Sequence, residues 1–122
     1  MSQAVSVIGV PITALSFEGH VDRMLEWASR RESRVVCAAN AHMLMEAHRR
    51  PDFGAMLRAA DLVSPDGMPL VWMMRRLGTP QQERVAGMDL LPALCRGAAE
   101  RGISVFFLGS TPEILERMRA RL

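Results

Sequence analysis

Hydrophobic residues occur along this chain in two alternating arrangements: short continuous runs, and longer segments in which they recur every three or four positions. Short runs rich in branched side chains and bounded by turn-forming residues are typical of buried strands. Such runs predict strands at residues 4–12, 34–40, 61–65 and 103–110. The last of these, ISVFFLGS, has the most pronounced strand pattern.

Segments with helical spacing follow the strands. Apolar side chains at Val21, Leu25 and Ala28, for example, share one face of a helix. In the last segment, Thr111 is expected to cap a helix and Pro112 to occupy its first helical position. Helices are predicted at residues 17–31, 41–50, 52–60, 70–77, 88–101 and 113–122.

Alternation of apolar strands with helices is typical of a parallel sheet that is covered on both faces. The predicted class is therefore α/β, a Rossmann-like parallel sheet of about three or four strands with helices on both faces. At 122 residues, the chain is expected to form a single domain over residues 1–122. Because it stops inside the last predicted helix, we expect this domain to be the amino-terminal portion of a longer one.

The composition narrows the class of protein. Hydrophobic residues make up 49% and charged residues 23%, as in soluble globular proteins. All 15 basic residues are Arg, but 13 acidic residues reduce the formal net charge to +2, which does not favour nucleic acid as a partner. There is no run of 18 apolar residues, and the two cysteines are isolated, which fits a cytoplasmic location. The three histidines lack the spacing of a metal site, so no metal is expected.

Asp66 is the first candidate for chemistry, in the stretch SPDGMP. Ligands of open parallel sheets bind beyond the carboxyl ends of the strands. Pro69 favours a helix start near that position with Met68 flanking it, which leaves Asp66 in the preceding loop and Gly67 free to turn. Two readings remain open: an Asp-Gly turn or cap, and a general base within reach of a substrate hydroxyl.

Two other strand ends offer polar groups. Asn40 can be a helix cap or a polar contact for a ligand. Gly109 and Ser110, in LGSTPE, can form a phosphate cradle at a helix start, although a plain strand-to-helix turn explains them equally well.

Four stretches resemble one known family: ANAHMLMEA, ADLVSPDGMPLVW, RRLGTPQQERVAGMDLL and GISVFFLGSTPEILE. Together they are similar to the WecG/TagA/CpsF glycosyltransferases, bacterial enzymes of cell-wall, capsule and exopolysaccharide synthesis. The resemblance implies transfer of N-acetylmannosamine or a related sugar from a UDP donor to an undecaprenyl-diphosphate-linked glycan acceptor, with inversion and without a metal or other cofactor. It also implies action at the inner face of the cytoplasmic membrane, with peripheral membrane association and, in some relatives, self-association.

The resemblance further implies roles for individual residues. Asp66 of PDG corresponds to the presumed catalytic base, and Arg84 of ERVAG is a candidate to meet the donor phosphate. Gly67 and Asp89 join the expected substrate-binding set, with Asn40, Gly109 and Ser110. For Arg84, a loop salt bridge with Glu83 or Asp89 is the competing reading.

Two departures from the family pattern affect these expectations. Ala38 stands where many relatives have Thr, so a hydroxyl that could help to hold substrate is missing. Relatives also continue further, into part of the nucleotide pocket and a basic tail. The alternative function is therefore a truncated, catalytically inactive α/β domain that self-associates or only binds nucleotide.

Overall fold

The computed structural model describes residues 3–121. The chain begins with a hairpin in which β1 (Ala4–Val7) pairs antiparallel with β2 (Val10–Thr13). The turn residues Ile8 and Gly9 have φ angles of 49° and 77°, the left-handed values found in tight hairpin turns. The prediction of one continuous strand over residues 4–12 was therefore wrong, because the chain reverses at this pair.

The second sheet is a parallel pair, β3 (Val36–Ala39) and β4 (Leu62–Pro65), in which Ala38 is in register with Ser64. The hairpin is joined to this pair by the Val63 amide, which donates a hydrogen bond to Thr13 Oγ1 at 2.8 Å. Helices surround a parallel strand pair, so the predicted α/β class is confirmed.

All six predicted helices are present, with ends within two residues of those expected. Their starts follow from local signals: Ser16, Asn40 and Thr111 each accept a hydrogen bond from a backbone amide of the turn that follows. The helices are α1 (Phe17–Ser29), α2 (Ala41–Arg49), α3 (Pro51–Ala59), α4 (Met68–Arg76), α5 (Gly87–Glu100) and α6 (Pro112–Arg121).

The predicted strand at residues 103–110 is absent from the structure. This segment is irregular, and its side chains Phe106 and Leu108 are 87% and 92% exposed. A β-strand needs a neighbouring strand to satisfy its backbone, whatever its intrinsic preference. Within residues 3–121, the parallel sheet therefore has two strands instead of the three or four predicted.

Helices cover both faces of the parallel pair. Ala39 and Val63 belong to the main core, which the hairpin shares with α2, α3 and α4. Ala38 points to the opposite face, because successive residues of a strand alternate, and there it meets the start of α5 at Gly87. Helix α5 in turn packs against α1.

One buried histidine lies in α1. The side chain of His20 is fully buried, with Nδ1 at 2.9 Å from the Ser16 carbonyl oxygen, while Nε2 has no hydrogen-bond partner among the described residues. Burial lowers the pKa of His20, and the positive charge of Arg23 acts in the same direction, against the opposing effects of the Ser16 carbonyl and Glu83. Burial thus favours the neutral form of the imidazole.

Candidate functional site

Asp66 lies at the carboxyl end of β4, in the loop that leads to α4. Its backbone amide donates to the carbonyl oxygen of Ala39 at 2.9 Å, which continues the parallel ladder by one residue. The N-cap position of α4 belongs to Gly67, and no side chain caps this helix. Asp66 therefore does not cap α4, and its side chain remains 29% exposed.

Two groups from the segment before α5 meet the Asp66 carboxylate. The segment is held beside β4 by the Val85 amide, which donates to the Pro65 carbonyl oxygen at 2.9 Å. Arg84 Nη2 lies 3.4 Å from Asp66 Oδ1, and Arg84 Nε donates to the Asp66 carbonyl oxygen. The Gly87 amide donates to Asp66 Oδ2 at 3.4 Å. The carboxylate thus lies between a guanidinium and the positive end of the α5 dipole.

Arg84 makes its ion pair with a residue that neither of its two readings named, and its contact with a donor phosphate stays a prediction. Its ion pair is with Asp66, whereas the Glu83 carboxylate accepts a hydrogen bond from the Phe17 amide at the start of α1. Within residues 3–121, Arg84 makes no ion pair with Glu83 or Asp89. The guanidinium is 52% exposed, so it can also reach a ligand from solvent.

Gly87 was not singled out from the sequence, although it is the glycine of ERVAG directly before a predicted helix. A Cβ atom at this position would lie 3.3 Å from Cβ of Ala38 and 3.8 Å from Asp66 Oδ2. The absence of a side chain lets the start of α5 approach the strand ends closely enough for its first amide to face the carboxylate.

Asn40 lies beside this group and acts as a helix cap. Its Oδ1 accepts from the Met43 amide at 3.0 Å, and a Cβ atom at Gly67 would lie 3.6 Å from Cβ of Asn40. The structure thus brings Asn40 and Gly67 together at the edge that carries Asp66. Their roles in holding a substrate stay predictions.

The remaining candidates are the exposed residues Asp89, Gly109 and Ser110. Asp89 is in the first turn of α5, where the positive end of the helix dipole stabilises a negatively charged side chain. Gly109 and Ser110 have φ angles of 117° and 58° and precede α6. In the described part of the chain, no hydrogen bond or ion pair connects them to Asp66 or Arg84, so a phosphate cradle at this turn also stays a prediction.

A buried hydroxyl lies beneath the site. Ser64 is fully buried, and its Oγ has no hydrogen-bond partner among the described residues. Its register partner on β3 is Ala38, the position at which the expected threonine hydroxyl is missing. The two strand ends therefore carry one hydroxyl between them, on β4 instead of β3.

Residues 3–121 lack two features, a cluster of metal-binding side chains and a membrane-spanning helix. No group of three or more His, Cys, Asp or Glu side chains is arranged to hold a metal ion. None of the helices in this range has the length and apolar character needed to cross a bilayer.

Residues 5–122 match the Glycosyl transferase WecG/TagA/CpsF family. The chain belongs to this family. One similar relative is the N-acetylglucosaminyldiphosphoundecaprenol N-acetyl-beta-D-mannosaminyltransferase of Bacillus spizizenii (strain ATCC 23059 / NRRL B-14472 / W23), which is 30% identical over 100 residues. The match covers 82% of this chain and 38% of the relative, so this member of the family spans about two fifths of that relative's length.

Proposed function

We propose that this chain takes part in transferring N-acetylmannosamine, or a related sugar, from a UDP donor to an acceptor linked to undecaprenyl diphosphate. Membership of the WecG/TagA/CpsF family supports sugar transfer. The name of the Bacillus relative supports both the mannosaminyl group and the lipid-linked acceptor. The proposed place of action is the cytoplasmic face of the membrane, in the synthesis of bacterial cell-surface polysaccharide.

The Asp66 carboxylate is the observation that carries the mechanism. It is partly exposed at the ligand-facing edge of the parallel pair and is not used to cap the helix that follows. In the proposed step, the acceptor hydroxyl attacks the anomeric carbon of the donor while Asp66 takes up the hydroxyl proton. The bond from that carbon to the UDP oxygen breaks, UDP leaves with the electron pair, and the configuration at the carbon inverts.

Arg84 is proposed to stabilise the departing diphosphate. The ion pair between its Nη2 and Asp66 Oδ1 is loose, at 3.4 Å, and the two side chains are 52% and 29% exposed. Exposed ion pairs of this kind contribute only about 0–1 kcal/mol, so a guanidinium can exchange part of this contact for a phosphate oxygen at little cost. The positive end of α5 would add to the same field. In this mechanism Arg84 and the start of α5, and not a metal ion, neutralise the negative charge of the departing diphosphate. Transfer should therefore persist in EDTA.

Substitution of Asp66 tests the assignment. Asp66→Asn removes the base but keeps the shape of the side chain, so we expect transfer to fall about 10²–10⁴-fold, the usual contribution of a general base. UDP binding, measured by calorimetry, should be retained. The matched control is Asp52→Asn, because Asp52 is an exposed aspartate on α3 whose ion pair, at 3.6 Å, is with Arg50. Full transfer activity in Asp66→Asn would remove Asp66 from the mechanism.

The exposure of Phe106 and Leu108 favours the alternative, a catalytically inactive domain that self-associates or only binds nucleotide. Sedimentation and UDP calorimetry on the same samples separate the two readings. UDP binding without transfer, with Asp66→Asn unchanged in every assay, would support the alternative.

A further inference from the structure

Helix α4 begins two residues after Asp66 and presents an apolar face to solvent. Trp72 is 56% exposed, Met73 37% and Leu77, at the C-cap, 56%. The buried side of α4 is formed by Leu70, Val71 and Met74. Arg76 lies four positions after Trp72 and three after Met73, so its side chain neighbours both on the surface of the helix.

The charged residues of α4 and of the loop up to Gln82 have a single sign. No acidic residue occurs between Gly67 and Gln82, whereas Arg75 and Arg76 lie in the last turn of α4. Arg75 Nε donates to the Gln82 carbonyl oxygen at 2.9 Å, which holds that side chain against the following loop. Arg76 is exposed and makes no ion pair within residues 3–121.

We propose that this face of α4, formed by Trp72, Met73, Arg75, Arg76 and Leu77, rests on a bilayer surface that carries anionic headgroups. Indole rings favour the boundary between headgroups and acyl chains, and arginines gain energy beside anionic lipids. The inference rests on the proposed function, since an acceptor linked to a polyprenyl diphosphate lies in such a bilayer. Because α4 starts directly after the Asp66–Gly67 loop, contact at this face would bring the carboxylate to the level of the headgroups.

The same charges argue against a second copy of the chain as the occupant. Two copies facing each other through this face would bring together four guanidinium groups, two from each copy, without an acidic residue from α4 to pair them. Like charges opposed in this way destabilise a contact. An anionic lipid surface supplies the missing negative charge.

Vesicle flotation of the 122-residue chain tests the proposal. The probes are vesicles of phosphatidylcholine alone and of phosphatidylcholine with 30% phosphatidylglycerol. We expect binding to the anionic vesicles that weakens with salt, and little binding to the neutral ones. Arg76→Gln should lower the partition coefficient about fivefold, the effect of one basic residue near an anionic surface. Trp72→Ser should lower it about tenfold, through the loss of roughly 60 Å² of apolar contact.

Helix α3 offers a matched control. Met56 is 55% exposed, and Arg58 lies exposed in the last turn of α3. The double variant Met56→Ser/Arg58→Gln removes the same kinds of group from a different helix, so its partition coefficient should equal that of the unmodified chain. Circular dichroism on each variant verifies that the fold is retained.

The outcomes separate this inference from the proposed function. Asp66→Asn should bind anionic vesicles at least as well as the unmodified chain, because it removes a negative charge near the headgroups, so loss of transfer alone leaves the α4 inference intact. Equal losses in the α3 and α4 variants, or equal binding to neutral and anionic vesicles, would overturn it. A change in sedimentation of Trp72→Ser with unchanged vesicle binding would identify the face as a self-association surface and also overturn it.

Discussion

The close approach of α2 and α3 makes Gly54 a sensitive position, and we expect Gly54→Ala to destabilise the fold. Gly54 is buried in α3, and a Cβ atom there would lie 2.7 Å from the backbone carbonyl oxygen of Ala47 in α2. A carbonyl oxygen cannot rotate away as the end of a side chain can. The two helices would have to separate, and α2 is the helix that Asn40 caps beside Asp66.

The magnitude follows from two opposing contributions. Replacing Gly by Ala inside a helix normally stabilises it by about 1 kcal/mol. Forcing an extra carbon into a closely packed contact costs roughly 1–3 kcal/mol. The expected net effect is a loss of about 1 kcal/mol in the free energy of unfolding, which corresponds to a fall in Tm of about 4 °C for a domain of this size.

Urea denaturation followed by circular dichroism measures the effect. Ala55→Gly is the control, because Ala55 is an exposed neighbour in the same helix and should lose about 1 kcal/mol through helix propensity alone. If Gly54→Ala instead gains about 1 kcal/mol, propensity governs both positions. The close contact between α2 and α3 would then be refuted.

Two further predictions concern buried polar groups. Thr13→Val removes the acceptor of the Val63 amide and should cost about 1–3 kcal/mol in urea denaturation, whereas Thr13→Ser keeps the hydroxyl and should cost less; equal losses would show that this hydrogen bond is not the cause. His20, whose pKa is lowered by burial, should make the free energy of unfolding fall as the pH drops below about 6.5, because the unfolded chain then binds a proton that the folded chain does not. The fall should level off below the folded-state pKa and should be absent in His20→Leu; an unchanged pH dependence in that variant would contradict the assignment.

The helices could be predicted from the sequence because their signals are local. Apolar spacing, the caps Asn40 and Thr111, and the prolines near helix starts all act within one or two turns. Strands depend on partners elsewhere in the chain. The hairpin turn at Ile8 and Gly9 divided one predicted strand into two, and residues 103–110 have no partner strand in the part of the chain that the structure describes.

Only part of the candidate site could be predicted from local signals in the sequence. Pro69 and Gly67 indicated that Asp66 would precede α4 instead of lying inside it, and the structure agrees. The sequence left Arg84 between a phosphate contact and a salt bridge with a near neighbour. Its contact with Asp66 joins residues 18 positions apart, which no local pattern specifies.

By itself, the sequence determined which segments become helices, where each begins to within two residues, and that a carboxylate follows a short apolar strand. Only the tertiary structure decided that the start of α5 faces this carboxylate, that Trp72 lies on the surface, and that the parallel sheet has two strands within residues 3–121. Helix formation and capping are settled by interactions between residues a few positions apart. The packing of α5 beside β4 and the choice of strand partners depend on contacts between distant segments, which exist only once the chain has folded.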